Sequence, residues 1–456
     1  MQAPRTIFRQ YDVRGVIDVE LTPALARALG RAFASAAWNR LGREPRIAVG
    51  RDNRPSGRAL AAGVRQGIAD AGGTAFDVGE LPTPALYFAV HHLGTDAGLQ
   101  VTGSHNPPQF NGFKMVLAGE AVHGDQILAL HDVITSESWR SGSGTQAAAP
   151  GILEAYRKAI VERHHLARPV TVVVDCGNGV SSLVAVSTLE QCGAKVTPLF
   201  AESDGNFPNH HPDPTVPENL VDLQRAVAET RAELGIAFDG DGDRIGAVDE
   251  HGKIIWGDQL LILFGRDAVL RYGAGVPVIF DVKCSELLPQ ALEKAGARPV
   301  MWKTGHSLIK AKMKELHSPM AGEMSGHMFF GGDWFGFDDA LFAAARLLEL
   351  VSRDGGGLSR LLADLPETFT TPEIRVDCPE EVKFDLVERA AAHFGSLYRV
   401  NTIDGVRIGF PDGWGLLRAS NTQPVLVLRF EATSPESLQR YRTEVTSWLA
   451  GQGVRA

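Results

Sequence analysis

Short apolar runs that stop at a polar loop recur along this chain, and they narrow its possible folds more than any other feature. Residues 46–50, 97–101, 171–175, 234–238 and 276–281 each read as a strand. Helical stretches lie between them: 23–41 and 56–71 near the start, then 152–165 and 285–295. Strands alternating with helices of this length fit doubly wound α/β units. Such units place their reactive groups where strands end, so the loops after these runs are the places to look for function.

The run 97–101 leads into Thr102-Gly103-Ser104-His105-Asn106-Pro107-Pro108. Glycine allows a sharp turn, and proline fixes the next φ and removes a donor. Ser104 is thereby held rigidly at a strand end. A turn that satisfies its own backbone has a similar composition. The hydrolase pattern Gly-x-Ser-x-Gly is absent, because Asn106 takes the place of its second glycine.

The run 234–238 leads into Asp239-Gly240-Asp241-Gly242-Asp243-Arg244. Alternate residues of an extended segment face one way, so the three carboxylates converge on one cation. Oxygen-only ligands favour a hard ion, Mg²⁺ above all where a phosphate completes the shell. An EF-hand loop has the same acidic spacing through Glu250, but its sixth position must be glycine and here it is Arg244. The flanks also read as strands rather than helices, which excludes the EF-hand.

Two further loops complete a pattern: Gly322-Glu323-Met324-Ser325-Gly326-His327 and Arg418-Ala419-Ser420-Asn421-Thr422. With the serine and aspartate loops, and in this order, they resemble the four signature loops of the α-D-phosphohexomutases. The Gly-Glu-Met-Ser-Gly-His version is most similar to the bacterial phosphomannomutase/phosphoglucomutase branch. The resemblance spans the whole chain. It implies three similar doubly wound mixed α/β domains (1–148, 149–253 and 254–370), then a smaller α+β domain (371–456), with the active-site cleft between the four. The Ser141-Gly142-Ser143-Gly144 stretch reads as the linker after the first domain.

Such an enzyme interconverts hexose 1-phosphates and 6-phosphates, here of glucose and mannose. The resemblance implies that Ser104 rests as phosphoserine and donates to the free end of the sugar. The resulting 1,6-bisphosphate turns round and returns its other phosphate to Ser104. Glucose or mannose 1,6-bisphosphate would serve as intermediate and activator. Phosphoserine adds about −1.5 to −2 charges. Mg²⁺ held by Asp239, Asp241, Asp243 and a phosphoryl oxygen on Ser104 balances them, with Lys114 and Arg244 as fixed cations. Arg14, in Tyr11-Asp12-Val13-Arg14-Gly15, reaches the site by the same resemblance, and Tyr11 and His105 are candidate neighbours.

Glu323 and Ser325 read two adjacent sugar hydroxyls, O3 and O4 by resemblance. Lys283, Thr304, His306 and His327 are further sugar-side candidates. Arg418, Ser420, Asn421 and Thr422 wrap the distal phosphate without reading the sugar. The general base is open among His327, Arg14 and Lys114. Phosphoglucosamine mutase and a metal-dependent phosphatase are the competing activities. A non-catalytic sugar-phosphate binding protein has no need of Ser104 or the aspartates.

At 456 residues the chain is too long for one core. Its formal net charge of −9 argues against nucleic acid and anionic membranes as partners. An anionic substrate must then be met by local cations. The four scattered cysteines form no Cys-x-x-Cys pair, and neither a signal core nor a membrane-length apolar run is visible. The expectation is a cytoplasmic monomer acting on small sugar phosphates.

Overall fold

The computed structural model describes residues 3–420 and 423–454. Four sheets follow one another along the chain. In the first, Ala97–Val101, Arg46–Arg51, Thr74–Glu80 and Thr145–Ala148 run parallel, and Phe110–Leu117 and Val13–Val16 continue the sheet antiparallel. Residues alternate across it: Ile47 and Val49 face the core built with the helices Pro23–Leu41, Gly57–Asp70 and Asp125–Ser136, while Ala48 faces a second core. Pro23–Leu41 begins as its sequence suggests, with Thr22 Oγ1 accepting from Leu25 N and proline in the first turn, and stops at Gly42 with φ of 70°.

The second core continues without a break through the next two units. It joins the helix Thr83–Leu93 to Val172, Val174, Ile236 and Phe238 of the second sheet, to Val278 and Phe280 of the third, and to the helix Ala340–Asp354. The second sheet orders Ile254–Ile255, Ile245–Asp249, Leu234–Phe238, Thr171–Asp175 and Lys195–Leu199; the third orders Arg298–Trp302, Pro277–Asp281, Met320–Gly322 and Met328–Phe330. The last sheet is antiparallel through Val425–Ala432, Gly413–Ala419, Val406–Phe410 and Arg399–Asn401. Helices Glu380–Gly395 and Pro435–Gly451 close a separate core over it.

Two expectations need correction. The Ser141–Gly144 stretch is no free linker, since Gly142 N and Gly144 N donate to Asp70 O and Ala69 O and lead into the edge strand Thr145–Ala148. The small residues are needed there, because a Cβ on Gly144 would lie 2.0 Å from Gly73 O. The helix Ile152–Val161 stops short of residue 165, because His164 turns inward, buries its ring against Phe342 and sets Nδ1 3.0 Å from Ile160 O.

Candidate active site

Ser104 lies just past the fully buried strand Ala97–Val101, with a positive φ of 49° that side chains seldom adopt. Its N–H donates to Thr102 Oγ1 at 2.8 Å, and its hydroxyl donates to Asp239 Oδ2 at 3.0 Å. His105 Nδ1 stands 3.2 Å from the same hydroxyl. Burial, then the cations Arg244 and Arg14, hold the His105 imidazole well below its ordinary value, so it is neutral. Arg14 reaches the loop from the strand Val13–Val16, donating to Asn106 Oδ1 at 3.0 Å and to Asp12 at 2.6 Å.

The aspartates occupy the turn between Leu234–Phe238 and Ile245–Asp249, an antiparallel pair rather than an EF-hand. Gly242, at φ 75°, makes the turn possible. All three carboxylates are fully buried and their oxygens converge. Lys114 Nζ donates to Asp241 at 2.8 Å and also to Asp243, and Thr83 Oγ1 donates to Asp241 at 2.5 Å. Burial pulls the Lys114 ammonium down, but Asp241 and Asp243 outweigh it and the net shift is strongly upward. Burial, then Asp243 and Asp241, pushes the Asp239 carboxyl well above the carboxylate range.

Lys114 and Arg244 thus set two cations against three carboxylates. Asp241 Oδ1 and Asp243 Oδ1 are buried without a hydrogen-bond partner. An all-oxygen set with orphaned acceptors fits a hard divalent cation.

The aspartate loop is tied directly to the sugar loop. Ile245 N donates to Gly326 O, and a Cβ on Gly326 would lie 2.3 Å from Ile245 O, so only glycine permits the approach. Arg244 Nε donates to His327 Nε2 at 3.0 Å, which leaves the ring proton on Nδ1. That nitrogen faces Asp338 Oδ2 at 3.2 Å and Asp243 Oδ1 at 3.6 Å. Asp338 also receives Lys310 Nζ at 2.9 Å, and His306 Nδ1 lies 3.7 Å from it. Burial, then Lys310, keeps His306 well below its ordinary value and neutral. Its ring stacks on His327 with centroids 5.7 Å apart.

Glu323 Oε1 accepts from Gly305 N at 2.6 Å, while Oε2 accepts from Ser325 Oγ at 3.2 Å. Burial raises the Glu323 carboxyl. Asp281, at the end of Pro277–Asp281, accepts from Met324 N and Thr304 Oγ1. Tyr11 hydroxyl donates to Thr304 O at 2.8 Å, so the first and third units meet at this loop. Lys283 pairs with Glu373 at 3.3 Å and feels Asp281, Glu323 and Arg418.

Arg418, at the end of Gly413–Ala419, sends Nε to Asp404 Oδ2 at 2.7 Å, and the same oxygen takes Thr304 N at 2.9 Å. Ser420 O accepts from the buried Lys383 ammonium at 2.5 Å. Asn421 and Thr422, read in the sequence as phosphate ligands, lie outside the described residues.

Sequence reasoning missed Asp52, Arg54, Asp281, Asp338 and Asp404. Asp52 and Arg54 had a signal of their own, the polar Asp-Asn-Arg-Pro-Ser that follows the run 46–50. Asp281 closes the strand Pro277–Asp281, and Asp338 and Asp404 sit in loops without a local pattern.

Comparison with known proteins gives one answer along the chain. Residues 5–141, 154–252 and 256–369 match alpha/beta/alpha domains I, II and III of phosphoglucomutase/phosphomannomutase, and residues 373–447 match the C-terminal domain. The phosphomannomutase/phosphoglucomutase of Pseudomonas aeruginosa is 50% identical over 442 residues, covering 96% of this chain and 94% of that one. The phosphoglucomutase of Neisseria gonorrhoeae is 45% identical over 443 residues, with 96% and 95% covered. A crystal structure of a phosphoglucomutase/phosphomannomutase family protein from Burkholderia thailandensis superposes with a TM-score of 0.91 at 44% identity, covering 97% of this chain and 96% of that one.

Proposed function

The chain belongs to the phosphoglucomutase/phosphomannomutase family, and on that premise we propose how its own residues interconvert the 1- and 6-phosphates of glucose and mannose. The observation that carries the reading is the hydroxyl of Ser104 seated 3.0 Å from Asp239 in a nest of carboxylates where Asp241 Oδ1 and Asp243 Oδ1 have no hydrogen-bond partner. A phosphoryl group on Ser104 sits beside Lys114 and Arg244, whose fixed charges favour the transferring group in a site closed to water.

Asp239, Asp241 and Asp243 would hold Mg²⁺, which when bound would supply charge withdrawal from the phosphoryl group.

Ser104 phosphate passes to the free hydroxyl of the sugar monophosphate, and the hydroxyl proton goes to a base. His327, fixed in orientation by Arg244 and Asp338, serves as that base once Arg244 Nε gives up its Nε2 to the sugar hydroxyl. The bisphosphate then turns round. Glu323 and Ser325 hold two adjacent sugar hydroxyls in either orientation, with Thr304, His306 and Lys283 around them. Arg418 with Ser420, Asn421 and Thr422 holds the distal phosphate, and Arg14, Tyr11 and His105 line the serine side. Ser104 takes back the other phosphate, and its proton leaves by the same base.

Similarity to a phosphomannomutase/phosphoglucomutase and to a phosphoglucomutase favours this reading over a phosphatase or a phosphoglucosamine mutase. No described helix is long and apolar enough to cross a membrane, and the four cysteines are buried and unbonded. Both features support a cytoplasmic setting, in which we place a monomer. Incubating the protein with glucose 1-phosphate, Mg²⁺ and a trace of glucose 1,6-bisphosphate tests the function. Glucose 6-phosphate should form, and Ser104→Ala should not form it at a comparable rate. Stoichiometric release of free phosphate would instead identify a phosphatase.

A further inference from the structure

Behind the Ser104 loop lies an ion pair that never faces the cleft. Arg54 and Asp52 are 2% and 1% exposed. All five N–H groups of Arg54 are used: Nε on Asp52 Oδ2 at 3.1 Å, Nη1 on Pro107 O at 2.8 Å and Phe110 O at 3.1 Å, and Nη2 on Ser104 O at 2.7 Å and Asn106 O at 2.5 Å. Asp52 Oδ2 also accepts from Thr102 Oγ1 at 2.8 Å and Gly103 N at 3.2 Å, and Thr102 Oγ1 in turn accepts from Ser104 N. Both peptide groups of Ser104 thus end on this pair, the carbonyl directly and the N–H through Thr102.

From this we infer that Arg54, oriented by Asp52, is a positioning residue that holds the Ser104 backbone in register for phosphoryl transfer. The inference rests on Ser104 being the phosphoryl carrier. Ser104 sits at φ 49°, a conformation that only surrounding structure can maintain in a serine. On its far side the Ser104 carbonyl is wedged against Gly240, where a Cβ would stand 2.4 Å from it. The Arg54 guanidinium is itself covered by the Phe207 ring, 5.0 Å from its centroid. A rigid planar fork can span four carbonyl oxygens; the three donors of a lysine, all on one atom, cannot reach them.

The chemistry makes this placement matter twice. In the first transfer the phosphoserine O–P bond breaks as a sugar oxygen bonds to phosphorus, and the sugar proton passes by way of the base to the Ser104 oxygen. In the second the Ser104 hydroxyl oxygen bonds to phosphorus, the opposite sugar O–P bond breaks, and the Ser104 proton passes by way of the base to the leaving sugar oxygen. A displaced Ser104 slows the second transfer, and the bisphosphate then leaves before it is recaptured. The enzyme becomes dephosphorylated and depends on added bisphosphate.

The test compares full-length wild type with Arg54→Lys and with the nearly isosteric Thr102→Val. Three quantities are read: kcat per folded molecule, KM for glucose 1-phosphate, and the glucose 1,6-bisphosphate concentration giving half-maximal activity. For Arg54→Lys we expect kcat to fall about ten- to a hundredfold, the scale of a misplacement near 1 Å. KM should stay within about threefold while the bisphosphate requirement rises about tenfold. Thr102→Val should move the same two quantities in the same direction by a smaller factor.

A loss in Arg54→Lys that vanishes once normalised to folded protein, with an unchanged bisphosphate requirement, overturns the inference. Should Arg54→Lys fail to fold, Thr102→Val decides alone, and wild-type values for it overturn the inference. A wild type that never interconverts the sugar phosphates refutes the mutase reading instead, before any variant is compared.

Discussion

Arg244 and His327 meet twice: side chain to side chain, Nε to Nε2 at 3.0 Å, and backbone to backbone in an antiparallel bridge. A guanidinium has no lone pair to offer, so the His327 nitrogen it touches must be the unprotonated one. The ring proton is left on Nδ1, facing Asp338. Arg244 therefore does more than supply charge; it selects the tautomer of the imidazole nearest the aspartate loop.

Removing that selection should slow chemistry more than binding. Arg244→Met is expected to lower kcat about a hundredfold, within the range general acid–base contributions span. Nitrogen NMR of the wild type should place the His327 proton on Nδ1. A proton on Nε2 would contradict the geometry.

Metal dependence follows from the orphaned oxygens of Asp241 and Asp243. Chelation should abolish turnover and added Mg²⁺ should restore it. Asp243→Asn should raise the Mg²⁺ concentration for half-maximal activity and lower kcat as well, because it removes a ligand charge beside Lys114. Full activity after exhaustive chelation would exclude the aspartates as a metal site.

Asp404 holds Arg418 by Nε alone among the described contacts, an orientation suited to a phosphate at the other guanidinium nitrogens. Arg418→Ala should raise KM for both the 1- and the 6-phosphate by about ten- to a hundredfold, the loss of a charge-assisted contact. An effect on one isomer only would mean that the loop serves a single sugar orientation.

The Lys283–Glu373 pair gives a pH test. The Lys283 ammonium lowers the Glu373 carboxyl from 4.5 to about 2. A carboxyl depressed on folding stabilises the native state above its unfolded pKa, and that contribution disappears as pH falls through the folded value. Glu373→Gln should therefore flatten the loss of thermal stability between pH 4.5 and about 2, seen as a smaller drop in Tm over that interval. An identical acid limb in the variant would show that the pair contributes nothing.

Sugar choice should be broad. Glucose and mannose differ only at O2, and neither the Glu323–Ser325 pair nor Arg418 is proposed to read that position. Packing around it is typically worth about 1–3 kcal/mol, so kcat/KM for the two sugars should agree within about a hundredfold. Steady-state kinetics with both 1-phosphates, and with glucosamine 1-phosphate as the disfavoured comparison, measures it.

What the sequence made legible was whatever is local. Asp239, Asp241 and Asp243 stood out by their alternation with glycine, although a turn at Gly242 and not an extended segment brings them together. Leu234–Phe238 announces their strand by unbroken apolar character. The edge strand Thr145–Ala148 was invisible because Thr-Gln-Ala-Ala is exposed along its length and carries no apolar period. Asp338 was invisible for another reason: its partners His327, His306 and Lys310 come together only when a helix and two loops pack. Arg54, though it lies in a polar stretch after a strand, shows its role only once the fold carries Ser104, fifty residues away, onto its Nη2.

The unbroken core beneath the first three units has a mechanical consequence. Prising any one of them loose would expose apolar surface, so together they form a fixed jaw. The last unit keeps its own core and touches that jaw largely through charge: Arg407 on Val282 O and Cys284 O, Arg429 on Lys283 O, Lys283 on Glu373, and Asp404 on Thr304, with Trp414 and Leu416 against Val282 as a small greasy bearing. Parting them would rehydrate Arg407 and Arg429, 5% and 3% exposed, but would bare little apolar surface beyond that bearing. The unit that carries Arg418 is thus the one whose parting from the rest bares the least apolar surface.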